Sequence, residues 1–155
     1  MGRGAVDVQT GEQPVITRRL LTMRVKEAGV AVDVERVREV VRGKNLVSVP
    51  LSSAPVRGIM NLRGSVVTVL DFAVLAGFGE ECSGDLVVLV RDGREEVGIL
   101  VDEVRDVFEI ASDELLLLDG DDTFSDSVGR CEGFYLDGTL HAVVDLDSIL
   151  GRESP

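Results

Sequence analysis

Apolar and polar positions alternate with period two in short stretches along most of the chain, and glycine-containing turns separate them. That pattern predicts half-buried β-strands joined by tight turns. A first strand runs from Leu20 to Val25. After a turn at 26–29, Val30, Val32 and Val34 fall on one face and Ala31 and Asp33 on the other, which completes a hairpin. Val34, Val37, Val40 and Val41 then recur at helical spacing, with Arg36, Arg38 and Glu39 between them, so a short helix and a further strand both fit. Leu46 to Val49 reads as a strand stopped by Pro50, and a proline-containing loop covers 50–57. Gly58–Leu62 pairs with Val66–Leu70 around Arg63-Gly64, and Ala73 to Phe78 adds a helical turn.

Residues 79–84 (GEECSG) form the clearest punctuation in the chain. Beyond it, Leu86–Val90 and Val97–Val101 flank the hairpin signal Asp92-Gly93. Val104, Val107, Phe108 and Ile110 continue a β-like pattern. Residues 111–128 are acidic and irregular apart from Leu115–Leu118. A last hairpin, Gly133–Leu136 and Leu140–Leu146 around Asp137-Gly138, leads to a closing segment at 148–151. Many short strands at close spacing make the fold class all-β, a barrel or a sandwich. Residues 1–17 lack periodicity and read as a flexible tail; the folded part is expected over 18–151, with 152–155 a second short tail.

Composition strengthens the β reading: 45% of residues are hydrophobic, only 4% aromatic, and Trp is absent, so Val, Leu and Ile must build the core. The net charge of −12 opposes nucleic-acid binding, which needs a basic stripe to displace counterions. The charge is uneven. Residues 1–79 hold 11 basic and 7 acidic side chains, whereas 80–155 hold 5 basic and 21 acidic. Either this is a solvated acidic surface, or two faces of opposite character meet different partners. No secretory signal opens the chain and no apolar run has the roughly 20 residues of a membrane span. The expected location is therefore the cytoplasm, with no direct membrane insertion.

Candidate chemistry is sparse. Cys82 and Cys131 lack CxxC spacing and read as buried reduced thiols. Asp119, Asp121 and Asp122 open like a calcium loop, but Thr123, Phe124 and Arg130 occupy positions five, six and twelve, where the motif needs a ligand, a glycine and a glutamate. His141 is the only histidine and reads as structural, with no partner in sequence for a zinc site or a serine triad. No catalytic residue, metal or cofactor is expected, and neither an oligonucleotide-binding barrel nor a carboxylate hydrolase has support. The segment Gly58-Ile-Met-Asn-Leu-Arg63-Gly64 is different: two glycines bracket an apolar strand ending in an amide and a guanidinium. Arg63 either points into solvent from an ordinary hairpin or reads a carboxylate or carbonyls on a partner.

That segment, followed by Ser65 to Asp71, closely resembles the signature of the CheW family of chemotaxis coupling proteins. VERVREV at 34–40, Val97 to Val104, and the stretch from Gly133 to the terminal DLDSIL resemble further family segments in the same order, so the likeness spans 18–151. The resemblance implies two five-stranded SH3-like β-barrels around a shared apolar core, with intermixed subdomains, short helices and a break near 79–84. It implies a non-enzymatic adaptor between the cytoplasmic tip of a methyl-accepting chemoreceptor and the regulatory domain of a CheA-type histidine kinase. Receptor contacts would fall along the groove between the barrels, at Val37, Arg63, Leu86, Gly98 and Val107. Kinase contacts would include Glu39 and Gly58. Ser53, Pro55, Thr68, Phe72 and Ala73 depart from the family's usual residues, which leaves room for a divergent module that binds one partner only, in a pathway such as gliding or twitching.

Overall fold

The computed structural model describes residues 15–53, 55–78, 81–118 and 131–150. Eleven strands, two single-turn α-helices and two 3-10 turns follow one another along them. The strands are β1 (Thr17–Val25), β2 (Ala28–Asp33), β3 (Val37–Arg42), β4 (Val56–Leu62), β5 (Ser65–Asp71), β6 (Leu86–Asp92), β7 (Glu95–Val101), β8 (Glu103–Ala111), β9 (Leu116–Leu118), β10 (Cys131–Leu136) and β11 (Thr139–Val143). Helices α1 (Phe72–Leu75) and α2 (Leu146–Ile149) interrupt the series. They form a six-stranded sheet ordered β8-β1-β2-β11-β10-β9 and a five-stranded sheet ordered β3-β6-β7-β5-β4, together a barrel-like all-β fold.

Turn chemistry explains most hairpins. Arg63 and Gly64 (φ 51° and 88°), and Asp137 and Gly138 (φ 52° and 81°), both take positive φ, as a two-residue type I′ turn requires. In the β6–β7 hairpin the turn residues are Gly93-Arg94, one position beyond the expected Asp92-Gly93, because Asp92 pairs with Glu95; glycine supplies the φ of 69°. The β1–β2 turn shrinks to Lys26-Glu27, since Ala28 already pairs with Val25. The ambiguous valines resolve into one 3-10 turn, Val34–Arg36, and strand β3, whose alternating burial is that of an extended chain.

Three expectations shift. The strand foreseen at Leu46–Val49 is reduced to one bridge, Val47 to Ile59, with positive φ at Asn45 and Leu51 curtailing it on both sides. The helical turn foreseen at Ala73–Phe78 begins at Phe72, because Asp71 caps it by accepting from the Val74 N–H at 3.2 Å. The last strand ends at Val143, and α2 takes Leu146. The rejected calcium loop and the side chain of Cys131 lie outside the described residues.

Two connections are parallel. Strand β5 pairs with β7, from Thr68 with Val97 to Asp71 with Leu100, and β11 pairs with β2, His141 lying beside Gly29. The strands on either side of 79–84 thus belong to one sheet. The main core joins the two sheets: Leu21, Met23, Val25, Val30 and Val32 of the first pack with Val67, Val69, Val87–Val90 and Ile99–Val101 of the second, closed by Phe72, Ala142, Val144 and Leu146. On the first sheet's other face, Leu20, Ala31, Ile110, Phe134 and Val143 form a smaller cluster. Strict alternation along β1 and β2 sends odd and even positions to these two cores. Thr22, buried on that face, exchanges hydrogen bonds with the Asp106 backbone (2.9 and 3.2 Å) where the β1–β8 register slips.

Candidate functional site

The β4–β5 turn lifts Arg63 to the surface, where its side chain stays 65% exposed. It makes a two-point contact with Glu39 of β3, Nη1 to Oε1 at 3.0 Å and Nη2 to Oε2 at 2.7 Å. Strands β3 and β4 are opposite edges of the five-stranded sheet, so this fork ties one edge to the hairpin that carries the other. The guanidinium bond, above all, holds the Glu39 carboxyl below its usual range. Asn61 supports the turn by accepting from the Gly64 N–H at 3.1 Å.

Glu39, Gly98 and Gly58 share a single rung of this sheet. Glu39 pairs with Leu89, Leu89 with Gly98, Gly98 with Val69 and Val69 with Gly58. Both glycines are buried at points of close approach. A Cβ on Gly98 would stand 2.6 Å from Val87 Cγ1, and one on Gly58 (φ 153°) 2.6 Å from the Val47 carbonyl oxygen. Val37, half-buried, lies two positions before Glu39 on β3. Leu86 opens β6 at the far end of the sheet, paired with Arg42 and Val101. Val107 lies on β8 of the other sheet, 40% exposed. The structure therefore brings Glu39 and Arg63 into contact and keeps Val37 on the strand of Glu39. It sets Gly98 and Gly58 further along the rung of Glu39, with Gly58 on the opposite edge strand, and sets Leu86 and Val107 apart.

The seam between the sheets is filled. Met23, Val32, Phe72, Val88, Val90, Ile99 and Leu146 meet there, all buried, around a gap too narrow for water. An open groove of about 780 Å³ lies instead at the hairpin ends of the five-stranded sheet, between the β4–β5 and β6–β7 tips. Arg38, Arg63, Arg91 and Arg94 line it with Glu95, Glu96 and Val66. Arg38 bonds Glu96 at 2.8 Å. Of these, only Arg63 stood out in the sequence. The available signal was that two of the five basic residues after residue 80, Arg91 and Arg94, flank one turn.

The opposite end of the sheet carries its charge inward. Asp71, fully buried, accepts from Arg57 (2.7 Å), the Cys82 N–H (3.0 Å) and the Val74 N–H. Asp102 accepts from the N–H groups of Lys26 (2.6 Å), Ser83 (2.9 Å) and Gly84 (2.8 Å). Burial works against the Asp102 carboxylate, but these donors outweigh it and its pKa is lowered. Cys82 is buried as expected, its thiol pushed up to about 12 chiefly by desolvation, which makes it inert. His141 stacks on Phe134 with ring centroids 5.4 Å apart and covers Gly29, the structural role foreseen. Among the described residues no His, Cys, Asp and Glu group could hold a metal, and no helix is long and apolar enough to cross a membrane.

Comparison with known proteins agrees with this architecture. The chain is 30% identical to a chemotaxis protein CheW of Thermotoga maritima over 84% of its own length and 86% of the relative's. It is 26% identical to a chemotaxis protein CheW of Rhizobium meliloti, covering 88% and 89% of the two chains. A crystal structure of the scaffolding protein TtCheW from Thermoanaerobacter tengcongensis superposes with a TM-score of 0.75 at 19% identity, covering 90% and 91% of the two chains, which shows the shared fold. The CheW-like domain profile matches residues 19–154, so the chain belongs to the CheW family.

Proposed function

We propose that this chain is a chemotaxis-type coupling adaptor that joins methyl-accepting chemoreceptors to a CheA-type histidine kinase in the cytoplasm. CheW family proteins are scaffolding adaptors and not enzymes. One observation carries the finer reading. Arg63, at the position the family resemblance assigns to receptor contact, is exposed and holds Glu39, at the position assigned to kinase contact. A receptor carboxylate arriving at Arg63 can take the guanidinium donors that Glu39 leaves open or exchange with Glu39 in the fork, and either changes the Arg63–Glu39 pair. The two partners' surfaces then communicate through one ion pair.

The test is Arg63→Glu, which sets two carboxylates against each other. Receptor-tip binding should fall about tenfold or more while the circular dichroism spectrum and denaturation midpoint stay as in the parent. A folded variant that binds receptor undiminished overturns the reading. The departures at Ser53, Pro55 and Thr68 favour one alternative, a module engaging only kinase or only receptor. Separate titrations of a receptor tip and a kinase regulatory domain decide between them, since an adaptor must bind both.

A further inference from the structure

We infer that the arginine-lined groove between the β4–β5 and β6–β7 turns is a docking site for an acidic polypeptide segment, with Arg91 and Arg94 as its anchors. The inference goes beyond the adaptor reading. It shares Arg63 with it but depends on two residues that reading does not use.

Four guanidiniums converge on this groove in a chain of net charge −12. Internal partners occupy two of them: Arg38 bonds Glu96 and Arg63 bonds Glu39. No described side chain pairs with Arg91 or Arg94, and both are exposed. Elsewhere most described arginines are treated differently, exposed Arg19 being the exception. Arg18, Arg24, Arg36, Arg42, Arg57 and Arg105 each hold a carboxylate. With Arg91 and Arg94 unpaired among the described residues, four guanidiniums face the carboxylates of Glu95 and Glu96 along one groove, a local excess of positive charge within an anionic surface. A concave wall of low dielectric strengthens the field of such an excess for a ligand of opposite sign. The rest of the surface repels a long polyanion, which selects a short acidic stretch over nucleic acid.

The groove also offers an apolar contact. Val66 projects from β5 with 67% of its surface exposed, and Leu62 and Val97 lie half-buried beside it. The fitting ligand carries two carboxylates for the Arg91 and Arg94 forks and an apolar side chain to cover Val66. Arginine's planar donors suit carboxylates, and the apolar contact gives register.

The test is fluorescence anisotropy of the full chain with a labelled Glu/Leu peptide, its Gln/Leu counterpart and a short single-stranded oligonucleotide. The Glu/Leu peptide should bind with an affinity that falls as salt rises, and the other two should not. Arg91→Glu with Arg94→Glu should weaken that binding about tenfold or more, and Val66→Ser should weaken it further. Arg42→Glu with Arg105→Glu, the same charge change placed elsewhere, should leave it intact. If the groove variant is less stable than the parent, Arg91→Gln with Arg94→Gln is used instead and should give the same loss at half the charge change. Equal loss in both paired variants, or retained binding in the groove variant, overturns the proposal. So does equal binding of the oligonucleotide, or salt-sensitive self-association through these arginines without peptide binding, which would make the occupant a second copy. Receptor and kinase titrations on the same variants keep the adaptor reading separate, because that reading is tested at Arg63 and by binding of both partners and does not depend on Arg91 or Arg94.

Discussion

The two ends of the five-stranded sheet use charge in opposite ways. Where β5 and β7 finish, carboxylates turn inward: Asp71 and Asp102 accept from Arg57 and from the backbone of 26 and 82–84, and they hold the connection into β6 against the core. Where β5 and β7 begin, guanidiniums turn outward, one in an exposed fork with Glu39 and two with no described partner. A buried charge must be fully satisfied, so it is committed to the fold. An exposed, half-satisfied one costs the fold little and remains available to a ligand. The first end is architecture, and the second is where the proposed recognition falls.

The contrast breaks most readily at Asp71. Asp71→Ala strands Arg57 and removes the α1 cap and the partner of the Cys82 N–H. It should cost about 2–4 kcal/mol in urea denaturation, below the upper range for a buried pair because Arg57 keeps 26% of its side chain in water. A loss under about 0.5 kcal/mol, within the range of an ordinary surface substitution, would erase the distinction. Asp102 sharpens it through pH. Its folded pKa is depressed, so its contribution is complete above the unfolded value of about 3.9 and disappears as pH falls through the lower folded value. Asp102→Asn should therefore be less stable than the parent at neutral pH, with the two stability curves converging at the acid end. Parallel curves would count against the carboxylate's role. The smallest effect belongs to the other end. Arg91→Glu with Arg94→Glu should leave the denaturation midpoint unchanged, and a marked drop would mean those arginines serve the fold.

Local features were legible in the sequence and non-local ones were not. Arg63-Gly64 and Asp137-Gly138 announce their turns because positive φ demands particular residues within a short window. The alternation in β2 likewise assigns Val30 and Val32 to one core and Ala31 to the other. The Leu46–Val49 stretch has strand-like residues, yet only Val47 finds a partner, because pairing depends on what lies alongside. The sequence did not single out the inward roles of Asp71 and Asp102, since most of their donors, Arg57, Cys82, Lys26, Ser83 and Gly84, lie far from them along the chain. The groove was equally hidden. Arg38 and Arg63 reach Arg91 and Arg94 only because β5 lies parallel to β7 and β3 beside β6, pairings that no short stretch encodes. Of the residues expected to contact receptor or kinase, Glu39 and Arg63 meet directly, whereas Leu86 and Val107 stand apart.

The parallel pairing of β2 with β11 has a consequence for biosynthesis. His141 must lie beside Gly29, and Val144 donates to the Ala31 carbonyl at 2.9 Å, so the first sheet waits for one of the last hairpins to leave the ribosome. Until then the early hairpin carries an unzipped flank rich in valine. The nascent polypeptide passes through a stage at which holdase chaperones and stray strands compete for that flank.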